Sequence, residues 1–282
     1  MIPLASVQIA ASFLRKVETN SRMETRSHLL QLAAYNNAVW CDSVCRSHNV
    51  PGEFLETVWV NRHQTPVYYP NLVTLSSAAE RDLQKEPIVD LLTAKRGHTV
   101  SVKDSFARLD LAPFGFHHLF QAQWILRQAH TAFRGHATTD LRWERIVSEE
   151  ELARWEEAWS ATTPSTNRLF LPALLENAEI CIMAAYIDHH IVAGAIANRT
   201  TEVVGLSNTF TPPDGAELYW EGFLGMIGTH YPSLPIVGYE RDESLTIALH
   251  VGFTTLGPLS VWIEREVRNR SRALPESRAA DQ

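Results

Sequence analysis

Apolar residues recur at helical spacing between residues 23 and 48, at Leu29, Leu32, Ala33, Val39, Trp40, Val44 and Cys45, and the run stops before Pro51-Gly52. One long amphipathic helix, or a broken pair, is expected there. Thr57 to Val60 and Asn71 to Leu75 read as strands, separated by a Pro66 to Pro70 segment whose prolines exclude regular structure. A helix from about Ala78 to Ala94, a strand at Thr99 to Val102, a short helix opened by Asp104 and a strand around Leu119 to Leu126 follow. After a polar, aperiodic stretch from Gln128 to Asp140, Ser148-Glu149-Glu150-Glu151 forms a capping box ahead of Leu152, Trp155 and Trp159 on one helical face. Three strands come next, at Ile180 to Ile187, Ile191 to Ala197 and Val203 to Phe210. The pattern closes with helix Ala216 to Thr229, strand Pro235 to Glu240, helix Asp242 to His250 and strand Thr254 to Glu264, and residues after Arg268 read as a disordered tail.

Part of this order occurs twice. Asp104 and Asp242 each open a short helix and are 138 residues apart; Gly115-Phe116 and Gly252-Phe253 are 137 apart, and Trp124 and Trp262 are 138 apart. A nearly constant offset of this length indicates a duplication of domains rather than a solenoid repeat. The expected division is residues 1–135, residues 136–270 and a tail at 271–282, each domain large enough to bury a core.

Composition narrows the function. A net charge of -7 argues against a surface that broadly neutralises phosphates. Cys41, Cys45 and Cys181 are too few, and odd in number, for a disulfide framework, so a reducing, cytoplasmic setting is expected. No run of about 18 apolar residues predicts a membrane span, and Met1 to Leu14 lacks the basic start and cleavage site of a secretory signal. Cys41, Cys45 and His48 share a helical stripe but have no fourth ligand, so no metal is expected.

Helix, three-stranded meander, helix, strand, helix, Gly-Phe and final strand is the order in residues 141–264, carried by "IVAGAIANRTTEVVGLSNTF" and "PIVGYERDESLTIALHVGF". This resembles the Gcn5-related N-acetyltransferase (GNAT) superfamily, and the first domain resembles the later half of that fold in degenerate form. The expected class is α+β, with an α/β-type mixed sheet in two GNAT-like domains. The resemblance implies acetyl-CoA or another acyl-CoA as co-substrate. It also implies that the strand at Val203 to Phe210 splays from its neighbour, exposing backbone groups to the acyl and pantetheine parts of that thioester. The loop Thr211 to Ala216 would hold the pyrophosphate at a helix N-terminus. It departs from the family pattern: Pro212 and Pro213 lack N–H donors and Asp214 is negative, while Gly215 and Ala216 keep the small-residue character. Many members place a tyrosine acid four residues before the Gly-Phe glycine, where this chain has Ala248.

Tyr239, Glu240 and Asp242 gather polar groups at a strand end, where open sheets bind ligands, and are the candidate catalytic residues. Helix capping is the plainer role for Asp242. Ser207, Asn208 and Thr209 are candidates for the acyl donor side, or simply mark a strand end. Asn37, Trp40, Asp42 and Trp220 are candidates for the acceptor pocket, whereas Trp155, Trp159 and Trp262 sit at core positions. The expectation is an acyltransferase moving an acyl group from a thioester to the amine of a small molecule. Two alternatives stand beside it: the same fold with aminoacyl-tRNA as donor, and a non-catalytic binding module.

Overall fold

The computed structural model describes residues 4–77, 81–94, 97–129, 131, 141–160 and 168–265, with residues 4–23, 81–84 and 94 through their backbone alone. The first apolar run is one unbroken helix, α1 (Leu4–Ser47). Its buried residues include Ala33, Ala34, Ala38, Trp40, Cys41 and Val44, a stripe at helical spacing. There follow β1 (Glu53–Phe54), β2 (Val58–Val60), β3 (Leu72–Thr74), α2 (Arg81–Ala94), β4 (Ser101–Asp104) and β5 (Phe116–Arg127). The later half comprises β6 (Arg142–Arg145), α3 (Glu149–Trp159), β7 (Ile180–Ile187), β8 (His190–Arg199), β9 (Val204–Phe210), α4 (Ala216–His230), β10 (Ile236–Glu240), α5 (Asp242–His250) and β11 (Thr254–Glu264). Ser148 caps α3 as expected, its Oγ accepting from the Glu151 N–H at 3.2 Å, while the Glu151 carboxylate meets the Ser148 hydroxyl at 3.3 Å.

Among the described residues, all eleven strands join one mixed sheet, in the order β1-β2-β3-β4-β11-β5-β10-β9-β8-β7-β6. The repeat is visible in its centre. Each half has a parallel strand pair, β3 with β4 and β9 with β10, and beside each pair lies the long final strand of the other half. β5 thus stands next to β10, β11 stands next to β4, and the two pair antiparallel with each other from Phe116 to Leu126. Exchange of these strands fuses the halves into one hydrogen-bonded surface.

Both faces of the sheet are covered. Along β7, Ile182, Ala184 and Tyr186 share a core cluster with α1 and with Trp155 of α3, whereas Cys181, Met183 and Ala185 pack with Trp220 and Phe223 of α4. α1 and α3 therefore lie on one face and α4 on the other. Because β7 is buried on both faces it reads as a continuous apolar run, not an alternation.

The structure corrects one element. Asp104 does not open a helix: it ends β4, and its carboxylate accepts the N–H groups of Phe106 (3.2 Å), Arg108 (2.6 Å) and Leu109 (2.7 Å), closing a tight turn. A single 3-10 turn, Ala112–Phe114, precedes Gly115. β1 and β6 were not expected, because strands of two and four residues are too short for period-2 alternation to register. Residues 132–140 of the polar stretch and the tail after Arg268 lie outside the described residues.

Candidate active site

β9 and β10 pair in parallel only at Val204 with Ile236 and Gly205 with Val237. Beyond that point β9 continues to Phe210 and β10 to Glu240 without pairing, so a wedge opens between them. A bulge sits at the mouth of the wedge. Gly194 of β8 opposes Phe210 and Ile196 opposes Ser207, which leaves one extra residue on β9, and Asn208 adopts φ 51°. The side chain of Asn208 is fixed there by Trp40 of α1, whose indole N–H donates to its Oδ1 at 3.2 Å.

α1 crosses this wedge and is locked to the sheet by two amides. Asn36 Nδ2 donates to the Asn198 carbonyl at 2.9 Å and to Thr200 Oγ1 at 3.2 Å, and Asn198 Nδ2 donates back to the Asn36 carbonyl at 3.2 Å. The approach is close enough that a Cβ on Gly205 would overlap Asn36 Oδ1. Under the helix lies a cavity of about 250 Å³, walled by α1, β9, β10 and the loop before β3, with Lys103 of β4 and Trp124 of β5 on its floor.

The equivalent place in the first half is closed. β3 and β4 part after Val73 and Lys103, but the Ser105 N–H donates to Thr74 Oγ1 at 2.8 Å, and Thr74, Asp104 and Ser105 have no exposed surface. The protein's own polar atoms fill that wedge.

Three features give the open wedge its chemistry. Glu240 lines the cavity, and its carboxyl, which has no hydrogen bond or ion pair among the described residues, is pushed up to about 8 by burial. Lys103 is 6% exposed; its ammonium donates to Asn37 Oδ1 at 2.8 Å and to Tyr239 Oη at 3.2 Å, and lies 4.5 Å from the centre of the Tyr239 ring. Burial favours its neutral form, but the interaction with Tyr239 opposes this, and the balance holds Lys103 above its ordinary value. Ser207 Oγ and Tyr69 Oη, both at the cavity wall, are buried without a hydrogen-bond partner among the described residues. Cys41 also lines the cavity, but burial raises its thiol, so it stays protonated and is a poor nucleophile.

Of the candidate catalytic, donor-side and acceptor-pocket residues named from the sequence, Tyr239, Glu240, Ser207, Asn208, Thr209, Asn37 and Trp40 surround this one cavity. The others lie outside its lining. Asp242 is exposed at the start of α5, with φ 51° and a 3.6 Å approach to Arg241, and its side chain makes no capping bond. Gly215 caps α4 through its backbone at φ 71°, and Ala216 is the first, buried helical residue. Trp220 packs edge-on against Phe253 in the α4 core. Asp42 binds β2 to α1, accepting from the Trp59 indole at 3.1 Å and the Gly52 N–H at 2.9 Å and pairing with Arg46. Sequence reasoning missed Lys103, Tyr69 and Asn198. A lysine in "VSVKD" reads as a solvated strand end, and only the strand exchange carries it to Tyr239.

Neither a family model nor a curated protein sequence matches the chain. Solved structures do match. A Gcn5-related N-acetyltransferase from Kribbella flavida superposes with a TM-score of 0.57 at 13% identity, over 82% of this chain and 95% of that one. A tandem GNAT protein from the clavulanic acid biosynthesis pathway gives 0.51 at 13%, over 73% and 81%. The C-terminal domain (DUF2156) of a putative lysylphosphatidylglycerol synthetase from Agrobacterium fabrum gives 0.51 at 12%, over 87% and 93%. The chain has the GNAT fold, an α+β mixed sheet shared with acetyltransferases. No described helix is long and apolar enough to cross a membrane.

Proposed function

We propose that this protein is a cytoplasmic tandem GNAT-type acyltransferase, moving an acyl group from a thioester, acetyl-CoA or a similar acyl-CoA, to the amine of a small molecule. The observation that carries this reading is the unpaired β9–β10 wedge opening onto a cavity that holds a carboxyl poised near pH 8. An acyl-CoA would lay its thioester along β9 at the Ser207–Thr209 bulge, where backbone groups released from pairing and the orphaned Ser207 hydroxyl polarise the carbonyl. Glu240, once ionised, removes a proton from the attacking amine. The nitrogen–carbon bond forms, the carbon–sulfur bond breaks, and the proton taken from nitrogen ends on the departing sulfur.

The pyrophosphate would meet the start of α4. Pro212 and Pro213 precede that helix, so its first residues, Ala216 and Glu217, keep their N–H groups, and Gly215 adds no side-chain cap to cover them, whereas the Leu218 N–H donates to the Gly215 carbonyl at 3.0 Å. Asp214 opposes an anion there. That charge favours a second reading, in which aminoacyl-tRNA is the donor and no pyrophosphate needs a cradle; the net charge of -7 weighs against it. A binding module without catalysis is the third.

Thermal melting with millimolar acetyl-CoA separates them. Ligand at about 100 times its Kd adds roughly 2.7 kcal/mol, raising Tm by about 5 °C for a chain of this size. A rise that adenine nucleotides do not reproduce supports the thioester donor. A folded protein that does not respond overturns that donor and leaves the other two readings.

A further inference from the structure

Lys103 is a buried cation without a counter-ion. Among the described residues no carboxylate pairs with it, and its two acceptors, Asn37 Oδ1 and Tyr239 Oη, are neutral groups that leave the third ammonium hydrogen free. Burying an ammonium is costly unless a negative charge meets it. The side chain nevertheless opens onto the β9–β10 cavity, where it meets Tyr239 of β10 across β11 and β5, and Tyr69 offers an unpartnered hydroxyl at the wall of the same cavity. A lysine serving only to join the halves would need no such opening. Asn37, Tyr239 and the aromatic face present the ammonium to the cavity as a fixed cation, the wrong state for a proton acceptor or an imine-forming amine.

We propose that Lys103, with Tyr69 on the wall of the same cavity, is the anchor for a carboxylate carried by a substrate there. Resting on the acyl-transfer reading above, the inference names the substrate class: an amino acid as acceptor, or a thioester whose acyl chain ends in a carboxylate. A cavity of about 250 Å³ has room for about eight waters at liquid volume, which suits an amino acid or the acyl end of a thioester.

The test is binding, followed through the fluorescence of Trp40 and Trp124 in the cavity wall. The probes are alanine, leucine, phenylalanine and glutamate against their α-carboxamides, and succinyl-CoA against acetyl-CoA, with the wild type, Lys103→Met and Lys103→Arg. Free acids should bind at least about tenfold more tightly than carboxamides, as expected for hydrogen bonds to a charged group. That preference should vanish in Lys103→Met and persist in part in Lys103→Arg. Preference confined to the free amino acids identifies the acceptor as the source of the carboxylate; preference confined to succinyl-CoA identifies the acyl chain. Equal binding of acids and neutral analogues, or an acid preference that survives in folded Lys103→Met, overturns the proposal. A lower Tm of Lys103→Met with unchanged discrimination does so as well, because it reduces Lys103 to a strut. Failure of acyl transfer itself is read separately: thioesters then leave the melting curve unmoved while the Lys103-dependent acid preference remains.

Discussion

Replacing Glu240 by glutamine tests the carboxyl in the cavity wall. That group sits near 8 instead of 4.5, with burial as the cause. At about 1.4 kcal/mol per pH unit, that displacement corresponds to about 5 kcal/mol between the two protonation states. The sign follows from proton counting. Between pH 4.5 and 8 the folded chain holds a proton that the unfolded chain has released, so stability falls as pH rises through this window and levels off above it. Glutamine has nearly the same shape and does not titrate. Urea unfolding of both proteins at pH 5, 6, 7, 8 and 9 should show the glutamine variant gaining on the wild type by about 1.4 kcal/mol per unit, to on the order of 3 kcal/mol at pH 7. The same variant should lose about 10²- to 10⁴-fold in acyl transfer if Glu240 is the base, and the wild-type rate should climb to a plateau above pH 8. A stability difference that does not change with pH would refute the burial argument, and with it the reason for choosing this carboxyl.

Asp42→Ala should destabilise the fold by about 3 kcal/mol in urea unfolding, because the Trp59 indole and the Gly52 N–H lose their buried acceptor, while cavity ligands bind as before. Gly205→Ala should cost about 1 to 3 kcal/mol, as the new methyl drives Asn36 off the sheet, and should also weaken ligand binding by shifting α1 over the cavity. Thr74→Val should cost about 1 to 3 kcal/mol, since the Ser105 N–H in the closed wedge is left unpaired, and should leave binding at the open wedge unaltered, read by melting and fluorescence titration.

Much of the secondary structure was legible because it rests on local rules. The capping box at Ser148, the strands β7 to β11 and helices α4 and α5 follow from periodicity and punctuation that the chain carries in itself. The repeated spacing of Asp104 and Asp242, of the two Gly-Phe pairs and of Trp124 and Trp262 was equally plain, but the two aspartates proved to do different things. One folds a turn around its carboxylate, while the other lies exposed on a helix start. An aspartate before an apolar run satisfies both local patterns, and only its surroundings choose.

Residues at the end of β9 and β10 could be nominated from sequence because a strand end is a local feature, and Tyr239, Glu240 and Ser207 to Thr209 do face the cavity. Asp42 and Trp220 have the same polar or aromatic character, yet the former holds Trp59 and the latter fills the α4 core. Which face such a side chain takes depends on what packs opposite it. The amino-acid sequence alone determined the elements, their order and the doubling of that order, since these arise from neighbours a few residues apart. Tertiary structure decided that β5 and β11 change places, that one wedge closes over Thr74 and Ser105 while the other stays open, and that Lys103 meets Tyr239 across 136 residues of chain. Those outcomes come from long-range pairing and burial, which leave no period in the sequence to read.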